Sequence, residues 1–139
     1  MFLYYARAID HTIFVTVNSL DTTQSKQTEA TNIIAEQLLN YLATHPEPIL
    51  WYNKSGMILY VDSDAAYLVE QGAKSRAGGY YYLVNHHNPK IDGSVYCLCT
   101  LIKTVISTAA ESELGALFLN STSLKLIRHV LMDMGHQQA

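Results

Sequence analysis

Apolar residues recur three or four positions apart between Thr28 and His45, which predicts an α-helix there. Thr28 precedes the first residues of this helix, Glu29 and Ala30, and the helix should end at His45 because the residue before a proline avoids helical angles. Two further short helices are predicted within residues 1–20, the second capped by Asp10. The polar residues 21–26 are predicted to form a loop.

After Pro48 the pattern changes to short apolar runs that are separated by turn-forming residues, which is typical of strands. Four strands are predicted, at 49–52, Met57–Asp64, Gly78–Val84 and Ser94–Thr100. The run Met57–Asp64 is apolar on both faces, which predicts a central strand covered on both sides. Residues 65–77 are predicted to be a loop, and the stretch 85–93 a turn region.

A long helix is predicted for the last part of the chain. Thr108 is a suitable cap, with Glu111 three residues later at capping-box spacing, and Gly135 ends the pattern. The polar stretch Asn120–Ser123 interrupts the apolar stripe, which predicts a bend or two helices. Strands in succession followed by a long helix indicate an α+β fold with a mainly antiparallel sheet, preceded by N-terminal helices.

Composition narrows the classes of protein. The 139 residues suit one ordinary domain, and 49% hydrophobic against 15% charged residues excludes a disordered tail. Nine Lys and Arg against twelve Asp and Glu argue against a free-standing, basic nucleic-acid binder. No apolar run approaches the roughly 20 residues of a membrane span. With no signal-peptide pattern and only two cysteines, an intracellular location is expected.

Four of the carboxylates occur in two tripeptides, Asp62/Asp64 at a strand end and Glu111/Glu113 at a helix start. If the helix packs on the sheet, these groups can converge to bind Mg²⁺. The alternative is that they are solvated acids, two of which favourably meet a helix dipole. Cys97 and Cys99 alternate along a strand, which favours buried thiols over a zinc site.

Three segments together resemble the ribonuclease H domain of copia-type LTR retrotransposons. They are Val61–Tyr67 (VDSDAAY), Ser75–Leu83 (SRAGGYYYL) and Ser107–Leu117 (STAAESELGAL). The family reads S-D-A-D-W, K-S-T-S-G-Y-V-F and S-S-T-E-A-E-Y-I-A-L, with similar gaps. The resemblance implies that residues 1–48 are a helical connection segment, as follows the reverse transcriptase in that family. It implies that residues 49–139 are the N-terminal part of a ribonuclease H-like domain.

The resemblance also implies roles for individual residues. Asp64 matches the first catalytic aspartate and Glu113 the catalytic glutamate, and both would bind Mg²⁺ or Mn²⁺. A register shifted by two would make Asp62 the catalytic residue instead, but Tyr67 at the family's tryptophan position favours Asp64. Asp62 and Glu111 then stand beside the metal ligands without binding the metal.

Two basic residues, Lys74 and Arg76, are candidates for contacts with a nucleic-acid backbone. Arg76 lies in the second motif of the resemblance and Lys74 directly precedes it, close to the loop on the predicted catalytic side. The alternative is that both are simply solvated cations of a loop.

The activity that the resemblance implies is metal-dependent hydrolysis of RNA in RNA–DNA hybrids. The family's third catalytic aspartate lies on a strand after the long helix, and this sequence ends at Ala139. A truncated domain that is inactive alone is therefore expected. The open strand edge near Met57–Asp64 is expected to be filled by a partner chain, a second copy or a rearranged segment. The alternative function is a non-catalytic structural or interaction subunit of a larger assembly, derived from a retroelement.

Overall fold

A computed structural model describes residues 2–70, 72–87 and 89–138 of the chain. The chain divides into two compact units, Met1–Leu50 and Trp51–Ala139. The assignment of residues 1–48 and 49–139 to two parts of a retroelement protein concerns their ancestry and stays a prediction. Among the described helices, none combines the length and the hydrophobicity needed to cross a membrane.

The first unit is helical, as the sequence predicts. Asp10 accepts a hydrogen bond from Thr12 N at 3.0 Å and so caps a short 3₁₀ turn, while Thr28 and Thr31 form a reciprocal capping box. The helices are α1 (Phe2–Ala8), the 3₁₀ turn His11–Ile13, α2 (Phe14–Thr23) and α3 (Glu29–Thr44). The predicted loop over residues 21–26 is wrong in its first half, because α2 continues to Thr23.

The second unit is an antiparallel sheet with one long helix packed on it. The sheet consists of β1 (Ile58–Glu70), β2 (Lys74–Val84) and β3 (Ser94–Leu101) in the order β1-β2-β3, and the helix is α4 (Ala109–Asp133). Each strand pairs antiparallel with the next along the chain. The predicted α+β class with a long C-terminal helix is confirmed.

The prediction of four strands is wrong, since the described residues form three. The run 49–52 stays outside the sheet, with Ile49 and Trp51 largely exposed. The run is preceded by Pro46 and Pro48, which carry no amide hydrogen to donate to a neighbouring strand. The one described backbone hydrogen bond of the run itself is donated by Gly93 N to Trp51 O at 2.9 Å.

The predicted loop over residues 65–77 is also wrong, because β1 and β2 continue through it and form one long hairpin. The chain reverses at Gly72 and Ala73, which both have positive φ angles of 79° and 53°. Apolar residues at 65–69 are followed by polar ones, which include Glu70, Lys74, Ser75 and Arg76, without a regular alternation. Sequence reasoning took their polarity for a loop.

The expected central position of β1 is not found either. In the described sheet β1 is an edge strand, paired on one side with β2. Asp62 and Asp64 are exposed, and Tyr60 is 39% exposed, so the second face of β1 is not a buried core face. This face of β1 appears apolar in the sequence because it carries Tyr60. The Tyr60 ring lies 6.3 Å from the ring of Tyr82 on the neighbouring strand.

Helix α4 is one continuous helix from Ala109 to Asp133, so the predicted alternative of two helices is wrong. Its buried positions include Ser112, Ala116 and Asn120, each four residues from the next and so on one side of the helix. All three side chains are fully buried. Asn120 therefore belongs to the buried stripe rather than interrupting it.

The buried Asn120 amide fastens α4 to two strands. Its Nδ2 donates to Ser63 Oγ on β1 and to Gly78 O on β2, both at 2.8 Å. The Tyr81 hydroxyl donates to Asn120 Oδ1 at 2.7 Å and to the Asn120 carbonyl at 2.9 Å. Burial raises the pKa of Tyr81 to about 12, so this hydroxyl remains protonated and able to donate at neutral pH.

Gly79 makes room for this arrangement. A Cβ atom at Gly79 would lie 1.9 Å from Asn120 Oδ1, a distance far shorter than any normal contact of a Cβ atom. The neighbouring contacts also use small residues, with Ala77 on β2 and Ala116 on α4 packed against Ile102. Small side chains on both surfaces bring the helix close enough for the amide to reach the sheet.

Two further contacts fix the direction of α4 across β1. Near the start of the helix, the Tyr67 hydroxyl donates to Ser107 O at 2.8 Å. Beyond its end, Gln138 Oε1 accepts from Leu59 N at 2.9 Å. Helix α4 therefore runs antiparallel to β1, and its first turns lie near the C-terminal end of that strand.

Replacing Asn120 with Ala is expected to lower the free energy of unfolding by about 2–4 kcal/mol. The change removes three side-chain hydrogen bonds at roughly 1 kcal/mol each and leaves the buried Tyr81 and Ser63 hydroxyls with fewer partners. Urea unfolding followed by circular dichroism measures the effect. Thr122→Ala, at an exposed position of the same helix, is the matched control, and an equal loss in both variants would contradict this role of Asn120.

Candidate functional site

The two aspartates of β1 leave the strand on the face opposite to α4. Ser63 points toward the helix, since its Oγ accepts from Asn120 Nδ2. Side chains alternate along a strand, so Asp62 and Asp64 project from the other face. On that face the register sets Asp62 opposite Tyr80 and Asp64 opposite Gly78. Both carboxylates are exposed to solvent.

The two glutamates of α4 have different surroundings. Glu111 Oε2 accepts from Ser107 N at 2.7 Å, while Glu111 N donates to Thr108 Oγ1 at 3.1 Å. Thr108 is thus the helix cap, as its sequence position predicts, and Glu111 completes a reciprocal cap one residue further out than expected. Glu113 is exposed, and no hydrogen bond or ion pair of its side chain is described.

The described contacts do not join Asp64 to Glu113. Glu113 precedes Asn120 by seven residues, which is roughly 10 Å of helix rise from the level of Ser63. No group of three or more His, Cys, Asp or Glu side chains placed to hold a metal ion occurs among residues 2–70, 72–87 and 89–138. Carboxylate oxygens are the right kind of ligand for Mg²⁺, but these two alone do not make a closed site. The described residues therefore do not fit a two-metal centre, and no hydrolytic step is assigned to them.

The two basic residues that are candidates for nucleic-acid contacts have different surroundings. Arg76 is only 5% exposed, and its Nε donates to Glu70 Oε1 at 2.6 Å in an ion pair. Burial alone would lower the pKa of Arg76, but the hydrogen bonds to Glu70 and Cys99 outweigh it and the pKa is raised. A guanidinium held in this way does not present itself to a phosphate backbone. Lys74 at the start of β2 is exposed and is the more accessible cation of the two.

Both cysteines are buried free thiols on β3, as their alternation predicts. The Sγ atom of Cys99 accepts from Arg76 Nη1 at 3.3 Å, and Cys97 lies 3.2 Å from Ser94 Oγ. Burial raises the pKa of Cys97, which keeps it in the neutral thiol form. These contacts describe packing of the strand.

Sequence reasoning missed the residues that join the carboxylate-bearing strand to the glutamate-bearing helix. These are Asn120, Tyr81 and Ser63, and they determine how the two elements meet. The available signal was a single Asn at the position of the helix stripe where an apolar residue was expected. A polar residue there indicates either a break in the helix or a buried hydrogen-bonding site, and the structure contains the second.

Comparison of the chain with protein-family models, with curated proteins and with solved structures finds no match in any of the three. The likeness to ribonuclease H therefore depends on the three sequence motifs and remains a prediction. The α+β fold stands on its own elements and register, independently of that likeness.

The two glutamates should differ in their effect on stability. We expect Glu111→Ala to lower the free energy of unfolding by about 0.5–1 kcal/mol, because the cap of α4 loses its carboxylate. Glu113→Ala removes the same charge two residues further along the helix and should change the free energy of unfolding by less than about 0.5 kcal/mol. Thermal unfolding of both variants at one pH makes the comparison. Equal losses would show that helix charge, and not the cap, is responsible.

Proposed function

We propose that residues 51–139 are a ribonuclease H-like domain of retroelement origin that is inactive in isolation. The observation that supports this most is the arrangement of the three motifs. Val61–Tyr67 lies on β1, Ser75–Leu83 on β2, and Ser107–Leu117 leads into α4. The first two strands pair directly, and the helix packs on both. The first two motifs are thus the two arms of one hairpin, and the third motif, which is more distant in sequence, leads into the helix that packs on both.

The substrate class that accompanies this proposal is an RNA–DNA hybrid, with Mg²⁺ or Mn²⁺ as the cofactor. A bound divalent ion would supply an activated water and charge neutralisation at the phosphate. Asp64 and Glu113 are the residues of this chain with the right ligand atoms and the matching motif positions. Because the described residues do not complete such a site, the proposal includes the absence of turnover.

A labelled RNA–DNA hybrid incubated with the chain and Mg²⁺ or Mn²⁺ should remain uncleaved. Wild type and Asp64→Asn are expected to give the same background on a denaturing gel, since two separated carboxylates do not hold two ions. Asp133→Asn, at the far end of α4, is the matched charge control. Cleavage lost in Asp64→Asn and Glu113→Gln but kept in Asp133→Asn would contradict the inactivity and would support the catalytic origin.

A second candidate function is supported by the edge of the sheet. Leu59 N donates to the side chain of Gln138 and not to β2, so the odd-numbered residues of β1 direct their backbone groups outward. By this alternation Val61, Ser63 and Ala65 offer unpaired amides and carbonyls at the edge. Such edges pair with extended segments of other chains. We propose that this edge is a binding site, as expected of an interaction subunit.

The side chains around the edge define the partner. Asp62 and Asp64 on one face disfavour pairing with a second copy, because like charges would meet across the strands. On the other face Leu124 lines a cavity of about 170 Å³ together with Leu59, Arg128 and Gln138. Leu117, two helix turns earlier on the same side, is 53% exposed. The fitting partner is an extended segment with cations toward the aspartates and apolar side chains toward α4.

A blocked peptide of alternating Lys and Val is the probe for this edge. It should slow hydrogen exchange at the amides of Val61, Ser63 and Ala65, whereas a peptide of alternating Glu and Val should not. Val61→Pro removes one amide hydrogen that points away from β2. The pairing of β1 with β2 is kept, but the peptide loses a hydrogen bond at the edge, so its protection of the neighbouring amides should be abolished. Equal protection by both peptides, or protection that survives Val61→Pro, would contradict edge pairing. Neither result depends on cleavage activity.

A further inference from the structure

Two lysines, Lys74 at the start of β2 and Lys103 just beyond the end of β3, line the same pocket. Arg76 pairs with Leu101 in the sheet, and a hydrogen bond from Ile102 N to Ser75 O at 2.9 Å holds the next residues of the two segments together. Lys74 and Lys103 are the neighbours of these two residues, Ser75 and Ile102, in the chain. Like charges that share one pocket repel each other.

The carboxylate that lies opposite Lys74 in the hairpin, that of Glu70, is shared with Arg76. Its Oε1 is held at 2.6 Å by Arg76 Nε. The described ion pairs include neither Lys74 nor Lys103, and both side chains are exposed. In a chain of net charge −3, two cations that line one pocket are a local excess of positive charge.

The same two lysines line a cavity of about 540 Å³. Its walls are the start of β2 and the segment between β3 and α4, and its apolar lining includes Leu101, Ile102 and Ile106. Thr104 and Ser75 add hydroxyl groups. The volume lies within the range of small-molecule sites, which are mostly apolar with a few polar groups that orient the ligand.

We infer that this cavity binds a phosphate ester whose organic part is flat and apolar, such as a nucleotide. The phosphate lies between the Lys74 and Lys103 ammonium groups and relieves their repulsion, while the base enters the apolar part. Charge-assisted hydrogen bonds from two ammonium groups favour a phosphate over a neutral ligand. The phosphate belongs either to a free nucleotide or to the end of a nucleic-acid strand. This inference is independent of the proposed cleavage and edge pairing.

The test is a two-dimensional NMR titration of the full chain with AMP, adenosine, inorganic phosphate and a short 5′-phosphorylated oligonucleotide. AMP should shift the amides of residues 72–75 and 101–106, and adenosine should bind about tenfold more weakly. The variant K74Q/K103Q should lose about tenfold in AMP affinity. Lys125→Gln, which removes an exposed cation of α4, should change it by less than about twofold.

The oligonucleotide distinguishes the two sources of phosphate. Tighter binding of its 5′-phosphorylated form than of AMP assigns the site to a nucleic-acid end, and weaker binding assigns it to a free nucleotide; both agree with the inference. Adenosine binding as tightly as AMP, or AMP shifts unchanged in K74Q/K103Q, would overturn it. The absence of AMP shifts at these residues would do the same. The spectrum of each variant shows whether it is folded.

Discussion

One buried amide determines how the sheet and the helix of the second unit fit together. Asn120 bonds to a side chain on β1 and to a carbonyl on β2, and it accepts from the Tyr81 hydroxyl. A hydrogen-bonded group with no exposure to water has a narrow choice of geometry, because any displacement leaves polar atoms without partners. Apolar contacts such as those of Ala77 and Ala116 would tolerate a small slide of the helix, whereas this network does not. The small residues around it, Gly79 above all, follow from that requirement.

The same network sets the positions of the acidic groups. By turning Ser63 toward the helix, it turns the neighbouring Asp64 away, and the two carboxylate-bearing elements touch without their carboxylates meeting. Glu111 contributes to the helix cap and Glu113 extends into solvent. Close packing of two motifs is therefore compatible with an incomplete site. Two elements can pack together while their carboxylates point to different sides. Which side a carboxylate takes depends on the two-residue alternation of the strand.

Much of the fold could be predicted from residue patterns with a clear physical cause. The caps at Asp10 and Thr108 and the helical spacing from Thr28 to His45 are local signals, and each was confirmed. The failures involve distant partners. Whether residues 65–77 form loop or strand depends on pairing across the hairpin, and whether Asn120 breaks a helix or anchors it depends on Ser63 and Gly78. Arg76 appeared to be a free cation because its partner Glu70 is brought near only by that pairing.

Gln138 has a consequence for anything that joins the edge of β1. Its side-chain amide donates to Met57 O and accepts from Leu59 N, so it occupies the place that the peptide group of a neighbouring strand would take. An incoming segment that covers these two positions would exchange one amide for another and gain no hydrogen bond in total. Additional hydrogen bonds are first gained at Val61. Pairing at Met57 and Leu59 is therefore neutral in hydrogen bonds, and pairing from Val61 onward supplies the affinity. A side chain near the end of the chain thereby selects where pairing starts, and so which side chains of the newcomer face the aspartates.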